Sequence, residues 1–364
     1  MTARPHNFNA GPAILPLEVM AEVQAELLDT HGTGLSILEW SHRSKPYDAI
    51  RASLESRLFR LLGLPAGHPY RLLTLQGGAS EQFAMVPLNL ASTDRVGGYV
   101  VTGVWAKKAI EEAERLKLGK TLWSGKSENF GRIPADTEWS FSSDLSYVHI
   151  TTNNTIFGTE WHSLPKTGGV PLVLDASSDI LSRPIPMEGV GVIYAGAQKN
   201  LGPAGLTPVI VREDLLLNQP PTWLPAIWDY RVHLKAEAIY NTPPTFAVYL
   251  MDKVLKWIED HGGLSGMERR NGQKAAELYA EIDRSGFYRG TCDRDSRSRM
   301  NVCFRLPDEP MEARFLDLAK KEGFVGLPGH RSVGGCRASL YNALPIESVR
   351  ALVSFMQEFE RTHG

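Results

Sequence analysis

Cysteine is scarce in this chain: 364 residues contain three, Cys292, Cys303 and Cys336. Their odd number and wide spacing supply neither a disulfide framework nor a zinc-ligand pattern, and they suit a reducing compartment. An excess of one charge sign is also lacking. The 39 lysines and arginines nearly match the 41 aspartates and glutamates, for a net charge of -2. No broad field therefore draws the chain to nucleic acid or to an anionic membrane. Any anion it recognises must be held by a few placed arginines. Long apolar runs are missing too. No stretch approaches the roughly 20 residues of a membrane span, and the opening Met1 to Ala10 has no apolar core of a signal peptide. Internal repeats and low-complexity segments are absent. A soluble, cytoplasmic protein is expected, and the length predicts two domains with sizeable cores.

What is present begins with the stretch Gly191 to Gly205. An apolar strand, Val192 to Ala195, runs into a glycine-dense loop that carries Lys199. A lysine delivered to the floor of a cleft is partly desolvated, loses its proton more easily and can attack an aldehyde. A second apolar strand, Pro171 to Leu174, ends in Asp175. Pyridoxal phosphate needs this pair: a lysine to form the Schiff base, and an aspartate to keep the ring nitrogen protonated. Alone, Asp175 also suits a turn or cap, and Lys199 a solvated surface amine. It is the two together, each closing a buried strand, that point to the cofactor.

Taken in order, the chain predicts helices over 18–28 and 47–62 with the turn Ser41-His42-Arg43-Ser44 between them, where the two basic residues read as an exposed turn. Leu72 to Leu75 is a strand that enters Gly77-Gly78-Ala79-Ser80 and then a helix, which makes a ready anion site from free backbone N–H groups. Ser124-Gly125-Lys126-Ser127 resembles the end of a nucleotide P-loop, but Lys120 stands where that motif needs glycine. No apolar strand leads into it, so it is read as a surface loop. Strand 98–104 leads to Trp105, which suits either core packing or a flat surface for an aromatic cofactor. Strand 147–150 leads to the polar loop Thr151 to Gly158. Alternating strands and helices through Val211 predict an α/β domain with a mainly parallel sheet, its ligands gathered at the C-terminal strand ends. Asn218 to Arg231 is an irregular, proline-rich crossing, and a long helix follows Asn241-Thr-Pro-Pro-Thr245. Beyond Gly262 a smaller α/β domain is expected, with His330, Arg331 and Arg337 in a glycine-rich stretch.

Several of these stretches together resemble the phosphoserine aminotransferase family of fold-type I pyridoxal phosphate enzymes. They are Asn7-Phe-Asn-Ala-Gly-Pro12, Ser41-His-Arg-Ser44, Gly77-Gly-Ala-Ser80, Asp175-Ala-Ser-Ser-Asp179, Tyr194-Ala-Gly-Ala-Gln-Lys199, Asn241-Thr-Pro-Pro-Thr245 and Gly329-His-Arg-Ser-Val-Gly-Gly-Cys-Arg337. The resemblance implies an aspartate aminotransferase-like α/β fold. A large cofactor-binding domain over 16–258 would hold a mainly parallel seven-stranded sheet flanked by helices. An arm, 1–15, would join it to a small domain, 259–364.

The resemblance further implies that Lys199 carries the cofactor and moves a proton, and that Asp175 pairs with the ring nitrogen. Trp105 would stack on the ring beside Thr155. Ala79, Ser80 and Gln198 would bind the phosphate, with Asn241 and Thr242 from a second copy, so that a homodimer shares its sites. Arg337 would clamp the substrate α-carboxylate, while His42, Arg43, His330 and Arg331 bind the distal anion. The implied reaction passes the amino group of glutamate to 3-phosphohydroxypyruvate in serine biosynthesis, and a related phosphorylated keto acid of pyridoxine biosynthesis is a further expected substrate. Two other readings stand beside it. A cysteine desulfurase of the same fold would use Cys336, and a non-catalytic binding protein would leave Lys199 solvated. Pro328 and Trp40 depart from the family's pattern.

Overall fold

The structure is a computed structural model and describes residues 4–142, 144–217 and 220–364. The first three residues of the arm and the start of the proline-rich crossing, Asn218 and Gln219, lie outside the described residues.

A seven-stranded sheet forms the centre. Across it the strands run Tyr70–Leu75, Thr207–Arg212, Val190–Tyr194, Leu172–Asp175, Tyr147–Thr151, Gly97–Val101 and Gly119–Ser124. Only Thr207–Arg212 runs against its neighbours; the other pairings are parallel. Strand side chains alternate between faces, and the apolar runs serve both. Leu172, Leu174, Ile193 and Ile210 face a core with the helices Lys45–Leu61 and Thr245–Asp260. Val173, Val192, Tyr194, Val209 and Val211 face a second core with the helices Gly78–Leu90 and Val104–Arg115. Burial on both faces explains why these strands are apolar throughout.

Gly119–Ser124 corrects the sequence reading at that point. A strand does lead into Gly125-Lys126-Ser127; it is the half-exposed edge of the sheet, so polar Lys120 and Thr121 hid it. Gly125–Glu128 is a single 3-10 turn.

The C-terminal part has an antiparallel sheet of Arg289–Gly290, Asn301–Arg305 and Cys336–Ser339, with helices Glu309–Lys321 and Ile346–His363 packed around it. Phe8 and Ile14 of the arm belong to this third core. His6–Asn7 pairs in parallel with Phe324–Val325, which fixes where the arm turns back toward the large sheet. The 23-residue helix Gly263–Ser285 starts in the first core at Leu264 and Met267 and ends in the third at Leu278 and Ile282. Trp40 is core material at 8% exposure.

Candidate active site

At the C-terminal strand ends a cavity of about 380 Å³ is lined by Asp175, Lys199, Trp105, Thr155, Arg337 and His330, together with Ala79, Ser80 and Gln198. Register delivers part of this set. Thr151, Asp175 and Tyr194 are neighbours across three parallel strands, so Asp175 ends its strand beside the start of the loop that carries Lys199.

Ser177 joins those two loops. Its N–H and hydroxyl both donate to Asp175 Oδ1, at 3.1 and 2.6 Å, and its oxygen accepts from Gly196 N–H at 3.1 Å. Burial pushes the Asp175 carboxyl up, against the opposing pull of Lys199 and the Ser177 hydrogen bonds. Burial likewise pushes the Lys199 amine down; Asp175 opposes that shift and the Arg337 charge adds to it. The Lys199 ammonium therefore gives up its proton more readily than a surface lysine.

Trp105 opens the helix Val104–Arg115, with its ring centroid 5.6 Å from Lys199 Nζ. Its indole N–H donates to Thr155 Oγ1 at 3.1 Å, and Arg337 Nη1 donates to the Thr155 carbonyl at 3.0 Å. Thr155 thus orients a flat ring and a guanidinium at once. Arg337 Nε is buried and has no hydrogen-bond partner among the described residues. A buried, charged donor left unpaired is costly, and an incoming carboxylate would satisfy it.

Ala79 and Ser80 sit in the first turn of Gly78–Leu90, whose cap is Gly77 at φ +80°. Only glycine takes that backbone without strain, and a Cβ there would collide with the Glu81 carboxylate. The exposed N–H groups of this turn face the cavity end of a 13-residue helix, as an anion site requires. The arm covers the opposite side. Ala13 N–H donates to the Gln198 carbonyl at 2.8 Å, and a Cβ on Gly11 would sit 3.4 Å from Lys199 Cγ.

Five of the expected residues do not line this cavity. His42 and Arg43 occupy the turn at 41–44, with Arg43 exposed. Arg331 is exposed next to His330, whose own imidazole is pushed down first by burial and then by the Arg337, Arg331 and Lys108 charges. Asn241 donates through Nδ2 to Gln76 Oε1 at 3.0 Å, and Thr242 is exposed. Sequence reasoning also missed residues that the cavity does include: Ala10, Gly11, Phe83 and Ser177; Gly78, part of the expected anion turn, lines it too. Ser177 was findable, because a serine two residues after a strand-end aspartate can close an Asx turn onto it.

The desulfurase alternative is corrected by Cys336. It lies in the strand Cys336–Ser339 at 2% exposure, and burial pushes its thiol up, away from the reactive thiolate. Among the described residues no group of three or more histidine, cysteine or acidic side chains could hold a metal ion, and no helix is long and apolar enough to cross a membrane.

Residues 6–352 match the family model described as aminotransferase class-V. The chain is 54% identical over 359 residues to a phosphoserine aminotransferase of Geobacillus kaustophilus, covering 98% of this chain and 99% of the relative. A solved phosphoserine aminotransferase from Bacillus circulans subsp. alkalophilus superposes with a TM-score of 0.96 at 49% identity, covering 99% of each chain. Another, determined in a study of radiation damage to the Schiff base in phosphoserine aminotransferase, superposes with a TM-score of 0.96 at 46% identity, over 99% of this chain and 100% of that one.

Proposed function

The chain belongs to the class-V aminotransferases, and among them to the phosphoserine aminotransferase family; from that premise we propose which residues carry the activity and how. The reaction is transfer of the amino group of glutamate to 3-phosphohydroxypyruvate, giving O-phosphoserine and 2-oxoglutarate, on pyridoxal phosphate. The observation that carries the site assignment is Lys199 and Asp175 lining one cavity with Trp105 and the unpaired Nε of Arg337.

The residues suit the cofactor. Asp175 is a buried carboxylate with one oxygen committed to Ser177, and a protonated ring nitrogen beside it would restore its ionised form. Trp105 and Thr155 would hold the ring, and Ala79, Ser80 and Gln198 the phosphate. Pyridoxal phosphate, when bound, supplies an electron sink for negative charge on the substrate Cα. Lys199, its amine favoured by burial, would attach the cofactor through Nζ and, once the incoming amino group has replaced it there, would take the proton from Cα of glutamate; in the second half-reaction the same nitrogen would deliver a proton to Cα of the product. Arg337 orients that carbon by gripping the α-carboxylate as a planar fork. Gly11 and the rest of the arm keep water from one side of Lys199.

His330 and Arg331 would bind the distal phosphate or the glutamate side-chain carboxylate. His42, Arg43, Asn241 and Thr242 would act in the cavity of a second copy, so that a homodimer completes both sites. Two observations support this: all four stand outside their own chain's cavity, and Leu35, Leu38, Trp223, Ile227, Trp228 and Tyr240 leave apolar surface exposed. The division into 16–258, 259–364 and the arm 1–15 is supported by the separate third core, although the helix Gly263–Ser285 straddles the boundary. A cytoplasmic location agrees with the three free cysteines.

The deciding assay compares 3-phosphohydroxypyruvate with hydroxypyruvate as acceptor for glutamate. A large preference for the phosphorylated compound is expected; equal kcat/KM for the two would remove the distal anion site.

A further inference from the structure

The helix Gly78–Leu90 is laced along one flank to a single stretch of chain, residues 226–241. Glu81 Oε1 accepts from Trp228 Nε1 at 2.8 Å, and Gln82 Oε1 accepts from the Tyr230 hydroxyl. Asn89 works in both senses: its Nδ2 donates to the Trp228 carbonyl at 2.8 Å, and its Oδ1 accepts from Tyr230 N–H at 2.8 Å. Gln82, Asn89 and Tyr230 are all at most 1% exposed, so the two bonds made by Tyr230 have no water to replace them, while the Trp228–Glu81 bond lies at the surface. After Tyr230–Lys235 the chain reverses through Glu237 and Ala238, at φ 52° and 60°, and arrives at Asn241, which donates to Gln76 just before the phosphate turn. The anion-binding turn and the segment bearing Asn241 and Thr242 are therefore tied at both ends.

We propose that this seam couples the two cofactor sites of the dimer, making cofactor binding cooperative. The proposal rests on the reading that Asn241 and Thr242 of each copy serve the other copy's cofactor phosphate. A phosphate seated on the first turn of Gly78–Leu90 neutralises its free N–H groups and fixes that turn. The fixed turn holds Trp228 and Tyr230, and through them the approach to Asn241 and Thr242. The second cofactor then meets donors already in place and has less to order, which raises its affinity. By linkage the effect is the same whichever site fills first.

The test is titration of the dimeric apoprotein with pyridoxal phosphate, followed by Schiff-base absorbance, with sedimentation velocity on the same samples. A Hill coefficient above 1 is expected, with the two binding constants differing by roughly five-fold or more. Trp228→Phe combined with Tyr230→Phe keeps both aromatic bodies but removes their donors, and should bring the coefficient to 1 while the dimer persists. If that pair fails to fold, Gln76→Ala cuts the seam at its exposed end and should lower the coefficient in the same direction. Pyridoxal, which has no phosphate to engage the helix, should bind without cooperativity. A wild-type dimer with independent sites overturns the proposal, as does cooperativity that survives in a folded, dimeric variant or appears with pyridoxal. A monomer in sedimentation overturns instead the reading of shared sites on which the proposal stands.

Discussion

Asp175 with the half-buried Lys199, and Arg183 with Glu160 and Asp179, are two charge groups in the interior; Asp175 ends the strand Leu172–Asp175, Asp179 follows it in the next loop, and Glu160 ends the short strand Thr159–Glu160. They differ in how their hydrogen-bonding capacity is spent. Arg183 donates through Nε to Glu160 Oε1 at 3.2 Å and through Nη2 to the Trp161 carbonyl at 2.5 Å, and lies 3.9 Å from Asp179 Oδ2. Glu160 Oε2 accepts from Arg299 N–H at 2.7 Å, and Asp179 Oδ1 accepts from Thr152. At the other group, Arg337 Nε has no partner among the described residues, and both hydrogen bonds to the Asp175 side chain go to one oxygen. Burial and charge are common to both groups. The clasp too keeps an unpaired atom among the described residues, Asp179 Oδ2, and Arg183 lines another cavity; what one group alone has is a lysine and a carboxylate lining the same cavity as the unpaired donor, and that separates a chemical site from a structural clasp.

Four substitutions would break or sharpen that contrast. Lys199→Ala should lower kcat by roughly 10⁴-fold or more and leave the urea midpoint close to wild type; residual turnover within tenfold of wild type would reassign the nucleophile. Arg183→Met should do the reverse. It strands two buried acids and should cost about 3–5 kcal/mol in urea unfolding, with KM for glutamate unchanged in the folded fraction. A changed KM at full stability would make the clasp part of the site. Arg337→Lys replaces a fork by a point charge, and the KM for the keto acid should rise by about tenfold; an unaltered KM takes Arg337 out of substrate contact.

The last effect is a slope with pH. Burial first, and then Glu160 against the opposing Arg183, push Asp179 from the usual 3.8 up to about 7. Between those values the native state keeps a proton that the unfolded chain has released. The stabilisation from this group is therefore complete below pH 3.8 and is lost as pH rises through about 7. Asp179→Asn is neutral throughout, so its stability relative to wild type should climb from pH 4 to about 7 and level off above. A difference that stays flat with pH in paired unfolding curves would mean that Asp179 is ionised in the native state.

Much of the fold was legible because buried parallel strands are apolar along their whole length, so Leu172–Asp175 and Val190–Tyr194 stand out without any knowledge of their partners. The edge strand Gly119–Ser124 was not legible, since one side meets water and its polar residues imitate a loop. Lys199, Asp175, Trp105 and Thr155 were placed by strand ends and motif, and they share the cavity. His42, Arg43, Asn241 and Thr242 do not line it, which the sequence did not reveal, because a motif gives residue types in chain order and carries no distances between stretches. The pairing of Arg183 with Glu160 escaped notice because in sequence a buried arginine looks the same as an exposed one until a long-range contact is known.

The pairing of His6–Asn7 with Phe324–Val325 has a consequence for how the enzyme is born. Ala10 and Gly11 reach the cavity from an arm that has no strand to lie against until Val325 has been synthesised, and His330 and Arg337 come later still. A nascent chain emerging from the ribosome can fold its central sheet around Lys199 long before the roof over that lysine exists. Full shelter of the amine from water thus arrives only after Arg337 has been synthesised.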